Sequence, residues 1–220
     1  MNLAFLNSLS AFFVGAGILI ALVLANNLTQ NKQPMKIMNA VWILTGLWAN
    51  LIAIPAYFGF GINKSGKMKM DRPRWQSIAL STLHCGAGCT LADILGEWFT
   101  HYIPVSIGGS LIAGSWTLDF ILALIFGVFF QYFAIKEMEN ISFKKAITRA
   151  FKADFLSLTA WQTGMYGWMA IVYFVIFKDM LLERTSWIFW FMMQIAMFFG
   201  FFVAFPMNAL LIKFGIKKGM

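Results

Sequence analysis

Acidic residues are scarce in this chain, nine Asp and Glu against seventeen Lys and Arg, and charged residues of both signs make up only 12% of the 220. Soluble domains carry about 25%, so there is too little charge here to clothe a water-facing surface, and 60% of the residues are apolar. That excludes an ordinary soluble enzyme and points to an integral membrane protein. Cysteine is nearly absent as well. Two residues four apart, Cys85 and Cys89, make no disulfide framework and read as ligands, redox thiols or small buried hydrophobes. Missing too are a P-loop, a dinucleotide fingerprint, a zincin motif, a nucleophile elbow and the C-x-x-C-H of haem attachment. No polar stretch is long enough for a second, soluble domain. The net charge of +8 lies beside apolar runs, where the positive-inside rule and anionic headgroups account for it without nucleic acid as a partner.

What the chain has in quantity is long apolar runs. They predict an all-α, polytopic membrane protein, a six-transmembrane-helix bundle forming one domain over 1–220, with spans at about 3–25, 37–62, 75–100, 105–135, 155–177 and 187–211. The first run lacks a basic leader and outlasts the apolar region of a secretory signal, so it reads as an uncleaved helix. Pro55 predicts a kink in the second span and Pro206 a break in the sixth. Between them, 136–154 reads as an amphipathic helix at the interface. Lys and Arg number thirteen on the side of the two termini and four on the other in this six-span reading. That bias predicts a multi-pass protein of the cell (inner) membrane with both termini cytoplasmic.

Polar chemistry concentrates in Ser81–His101, STLHCGAGCTLADILGEWFTH. On a helix Cys85, Cys89, Asp93, Glu97 and His101 follow at i+4, a ridge drifting about 40° per step. His84 precedes the first cysteine, and the Gly86-Ala87-Gly88 triplet offers a backbone that could open and turn His84, Cys85 and Cys89 toward one point. Cys85 falls about 16 Å in from Arg74, near mid-membrane, with Glu97 and His101 toward the outer mouth. Asp119 lies mid-span on the next run and is expected to face this ridge, because a carboxyl at bilayer depth costs about 2.5–3.5 kcal/mol unless it turns inward.

The motifs HCGAGCTLAD, KADFLSLTA, GMYGWMA, FMMQIAM and FPMNALLIKFGIK together resemble an uncharacterised family of prokaryotic integral-membrane proteins defined as a domain of unknown function. The resemblance covers about Trp75 to Lys217 and implies a membrane fold but no activity.

Activity is therefore read from the residues. Thiol, imidazole and thioether donors select Cu(I) or Zn over Mg or Ca. The candidate metal set is His84, Cys85, Cys89 and Asp93 with Met165, Met169, Met193 and Met197, the methionines tilting it toward copper. Glu97, His101 and Asp119 form the candidate ion path. The reading is a protein that binds or transports a soft metal ion rather than an enzyme. Two alternatives stay open: a membrane thiol-disulfide oxidoreductase using Cys85 and Cys89, although C-x-x-x-C departs from the usual C-x-x-C, and a non-catalytic membrane scaffold. The partners expected are the lipid bilayer and the metal ion, with a homo-oligomer or another membrane protein also open.

Overall fold

A computed structural model describes residues 2–62, 72–180 and 182–219. Among them the chain is all-helical, six long helical segments without a strand. Five segments are long and apolar enough to cross a membrane: Leu3–Gln30, Ile37–Gly61, Arg74–Tyr102, Leu111–Met138 and Trp187–Lys213. We label the helices α1 (Leu3–Gln30), α2 (Ile37–Ala49), α3 (Ala53–Ala56), α4 (Arg74–Tyr102), α5 (Leu111–Met138), α6 (Phe143–Ile171) and α7 (Trp187–Lys213).

Local chemistry sets several of these ends. Asn2, Ser110 and Ser186 each accept a hydrogen bond from a first-turn N–H of α1, α5 and α7, the usual way an orphan donor is satisfied. Pro73 stands just before α4, where its fixed φ suits a helix start. The fourth predicted span starts late, at Leu111, because Gly108 and Gly109 take positive φ in a tight turn closed between Ile107 and Ser110. The predicted interfacial helix is not separate: 136–138 end α5, and from Phe143 the chain runs unbroken through the fifth span. Pro206 sits inside α7 without ending it, a correction to the expected break.

The second segment departs most from expectation. Its helix stops at Ala49, where Asn50 takes a φ of 55°, and a 3-10 turn leads into α3 and a π-helical stretch, Tyr57–Gly61. The rings of Tyr57 and Phe60 then lie 5.3 and 5.8 Å from that of Trp42. In one straight helix, residues fifteen apart would be separated by about 22 Å, so the chain doubles back beside α2. Asn50 lies at the tip, its side-chain amide donating to the Phe13 carbonyl at 2.6 Å. Pro55, expected to kink a through-going helix, instead follows the reversal. It has no N–H to bond the Leu51 carbonyl, which leaves the first turn after the reversal without that i−4 bond.

The reversal fixes the order of the ends. Phe13 meets Phe191 and Gly17 meets Gln194, so α1 runs parallel to α7 rather than antiparallel to it. The start of α2 lies beside the end of α5, with the Lys36 N–H donating to the Glu137 carboxylate at 2.9 Å. The tail reaches the same end, where Lys218 pairs with Glu139 at 2.7 Å. The two termini therefore lie at opposite ends of the bundle, which corrects the expectation that they share a side. A segment that enters and leaves at one end removes one crossing. The expected basic loop between the second and third spans falls, over 63–71, outside the described residues.

At the centre stands α4, packed against α2, α5, α6 and α7. Its whole middle, from Ile78 to Thr90, is buried. Gly86 lies flat under the Trp161 ring of α6, and Gly88 against the backbone of Gly127 on α5. The glycines are spent on close helix packing, and α4 stays continuous across them.

Candidate functional site

Along α4 the residues Cys85, Cys89, Asp93 and Glu97 are all buried, none more than 3% exposed. They form a row reaching from the middle of the bundle toward the end that holds Tyr102 and Trp187, which we label the outer end. The row stops short of His101, which is exposed beside the rings of Trp98 and Tyr102. The drift of about 40° per step explains this, since four steps from Cys85 turn the side chain through about 160°.

Opposite the outer half, α5 brings Asp119 against Gly96, where any β-carbon would meet the carboxylate. Ser115, one turn before it, shares a 3.4 Å contact with the Thr100 hydroxyl. Asp93, Glu97 and Asp119 thus form a cluster of three acids from two helices. One guanidinium reaches it: Arg184, from the α6–α7 connection, lies 2.5 Å from the Glu97 carboxylate and donates to the Thr100 carbonyl at 3.3 Å. The Arg184 to Glu97 approach lies off the N–H direction, so it is a charge contact more than an aimed hydrogen bond. Both carboxylate oxygens of Asp93 lack a hydrogen-bonding partner within the protein.

At mid-bundle the thiols of Cys85 and Cys89 are free and adjacent on successive turns. His84 does not join them. Its ring faces Phe130 of α5, centroids 6.0 Å apart, because neighbouring residues on a helix point about 100° apart. Below the thiols lies a second polar group, built by α6, α7 and the tail. Asp154 seats its carboxylate against Gly127 as Asp119 does against Gly96. Lys217 turns back into the bundle, only 3% exposed, and its ammonium donates to the Asn208 side-chain oxygen at 2.8 Å and the Ser81 carbonyl at 3.2 Å. Ser157 completes the group on Asn208.

The four candidate methionines are all buried. Met193 and Met197 face, together with Asp93 and Thr90, a cavity of about 280 Å³ between α1, α2, α4 and α7. Among the described residues, no three His, Cys, Asp or Glu side chains converge as a metal-ligand group. The sequence reading gave Arg184, Asp154 and Lys217 no place in the site: Arg184 and Lys217 entered only the count of basic residues on each side, and Asp154 only as the end of the amphipathic segment. No spacing links them to α4, since each reaches the bundle from another helix, a connection or the tail.

These features define a polytopic, all-helical membrane protein with a buried row of ionisable side chains on its central helix. The chain belongs to the family described as Domain of unknown function (DUF4396), which matches residues 74–217. No curated protein and no solved structure matches it. The family match begins at the first residue of α4 and ends in the tail, so it takes in every member of both polar groups.

Proposed function

We propose that the protein binds a soft cation on the α4 row and carries it along the bundle, with Cu(I) the favoured ion. The supporting observation is that Cys85, Cys89, Asp93 and Glu97 stand on successive turns of one helix, all buried. A soft sulfur pair at mid-bundle, approached through acids, is what a thiophilic cation needs in order to leave water. Cu(I) suits the arrangement better than Zn, since structural zinc takes four ligands, and Cu(I) accepts two thiolates with a thioether added. Met193 and Met197 supply that thioether from the cavity that Asp93 also lines, with Met165 and Met169 on the neighbouring helix. Asp93, Glu97 and Asp119 collect the cation, and Arg184 limits the negative charge held there when none is bound.

In this reading the protein sits in the cell membrane with its basic end in the cytoplasm. Among the described residues that end holds twelve Lys and Arg, from Lys32 and Lys36 through the starts of α4 and α6 to the tail, against Lys178 and Arg184 at the other. The N-terminus then faces outward and the C-terminus inward. Cysteine labelling of intact cells checks this: a cysteine at Asn2 or Tyr102 reacts with an impermeant reagent, and one at Asn140 reacts only after lysis. The opposite pattern at Asn2 overturns the orientation.

Metal analysis of the purified protein under reducing conditions tests the cation. Wild type should hold Cu(I) stoichiometrically, releasing protons as the thiolates form, and Cys85→Ser and Cys89→Ser should each lose it. If wild type takes up neither Cu(I) nor Zn at micromolar concentration while its thiols cycle reversibly to a disulfide, the oxidoreductase reading replaces this one.

A further inference from the structure

The cavity between α1, α2, α4 and α7 has a character of its own. Four indoles surround it, Trp48, Trp98, Trp187 and Trp190, and the rest of its wall is mostly aliphatic. Few polar side chains reach it, and two of these are already engaged. The Gln194 side-chain amide donates to the Leu47 carbonyl at 2.7 Å, and the Thr90 hydroxyl to the Gly86 carbonyl at 2.8 Å. What remains is Asp93, 3% exposed, with both carboxylate oxygens unpartnered, together with the unpartnered indole N–H of Trp48. A buried carboxylate at the wall of an indole-lined chamber lacks one thing, a positive charge with an apolar body.

Trp is the strongest aromatic partner for a cation at its face. Ile18, Trp98 and Trp187 are exposed at the rim, so the chamber opens to the outside of the bundle near the start of α7.

We infer that this cavity is a binding site for a hydrophobic organic cation, such as an aryl or alkyl quaternary ammonium, held by Asp93 and the four indoles. The site shares Asp93, Met193 and Met197 with the proposed metal path but needs neither thiol, so loss of metal through the cysteines leaves it testable on its own.

Titration of the purified full-length protein with benzyltrimethylammonium, followed by tryptophan fluorescence, tests it. Neopentylbenzene, in which carbon replaces the charged nitrogen, serves as the neutral isostere. The cation should bind saturably and at least tenfold more tightly than the isostere, a comparison that needs no variant. Asp93→Asn, which keeps the side chain's shape, should weaken the cation at least tenfold and leave the isostere unchanged. Trp190→Leu should weaken the cation several-fold. Cys85→Ser/Cys89→Ser should bind it as wild type does, even where metal is lost. Equal binding of cation and isostere overturns the inference and marks the cavity as a seat for acyl chains. So does an absence of saturable binding at millimolar cation, or an Asp93→Asn protein that binds the cation as tightly as wild type.

Discussion

The two halves of the α4 row are built from the same kinds of parts in opposite proportion. The outer half gathers three acids, Asp93, Glu97 and Asp119, around one guanidinium. The inner half sets one acid, Asp154, near one ammonium, Lys217, with two thiols and an imidazole between the groups. In both, the acids stand on helices, and one of them, Asp119 or Asp154, is seated against a glycine of the next helix. In both, the cation arrives on a long side chain from beyond a helix end, Arg184 before α7 and Lys217 after it. The reason is reach. Asp and Glu are short and must be placed by the helix itself, whereas Arg and Lys extend from an interface while burying their stems. The difference lies in the coupling: Arg184 touches its carboxylate, while Lys217 rests on a carbonyl and an amide oxygen.

That contrast predicts unequal costs. Arg184→Ala strands the Glu97 carboxylate, 4% exposed, without its counter-charge. Breaking a buried pair costs about 3–5 kcal/mol, and because the Arg184 side chain is 22% exposed we expect the lower figure, about 3 kcal/mol. Unfolding in detergent should show it, with Arg184→Ala/Glu97→Gln recovering most of the loss. A double variant no better than the single would mean that the guanidinium acts through packing. Next in size is Gly96→Ala. Its methyl group meets Asp119 head-on, and overpacking of this kind costs about 1–3 kcal/mol. Asp119→Ala in the same protein should make that methyl group harmless, and a Gly96→Ala protein as stable as wild type would show that the acids are not wedged together.

The inner half should be cheaper to alter. Lys217→Met keeps the stem and removes the charge, and Asn208 retains its bond with Ser157 at 3.1 Å. A stability loss of no more than about 2 kcal/mol is expected, since the two hydrogen bonds of the ammonium are lost together with the cost of burying its charge. Thiol reactivity should change more. With the ammonium gone, Cys85 should react faster with a cationic methanethiosulfonate added at the C-terminal end, and Cys89, one turn deeper, should change less. A loss of stability as large as that of Arg184→Ala would erase the distinction between the halves.

How much of this was legible in the sequence depends on whether one helix or several made the feature. The α4 row needs only the i+4 spacing of a single helix, and its burial followed from the cost of carboxyls at membrane depth. Asp119 was rightly expected to turn inward, and it sits beside Glu97, two turns beyond Cys89. The reversal at Asn50 was hidden because 37–62 is apolar and long enough to span, so hydropathy reads it as one helix. The signal was Asn50 with Pro55 five residues later, a polar group and a missing donor at the depth where a through-going helix tolerates neither well. His84 was misjudged because adjacency in sequence is divergence on a helix, and the two glycines beside it proved to serve packing, Gly86 against the indole of Trp161 and Gly88 against the Gly127 backbone.

The smallest expected effect concerns the surface below the inner half, where Glu139 receives Arg149 and Lys218, each at 2.7 Å. The ammonium of Lys218 above all, with the guanidinium of Arg149, holds this carboxyl below the usual glutamate range. A carboxyl whose folded pKa is depressed favours the native state above its unfolded pKa. The contribution fades as pH falls through the folded value. Exposed pairs are screened and weak, so Glu139→Gln should lower the melting temperature only slightly near pH 7. The gap between variant and wild type should close by about pH 3 and shrink in high salt. Because Lys218 adjoins Lys217, loosening this pair should also let the tail leave its seat, seen as faster Cys85 labelling in Glu139→Gln but slower than in Lys217→Met. Labelling unchanged from wild type would show that Lys217 holds the tail unaided, through Asn208 and the Ser81 carbonyl.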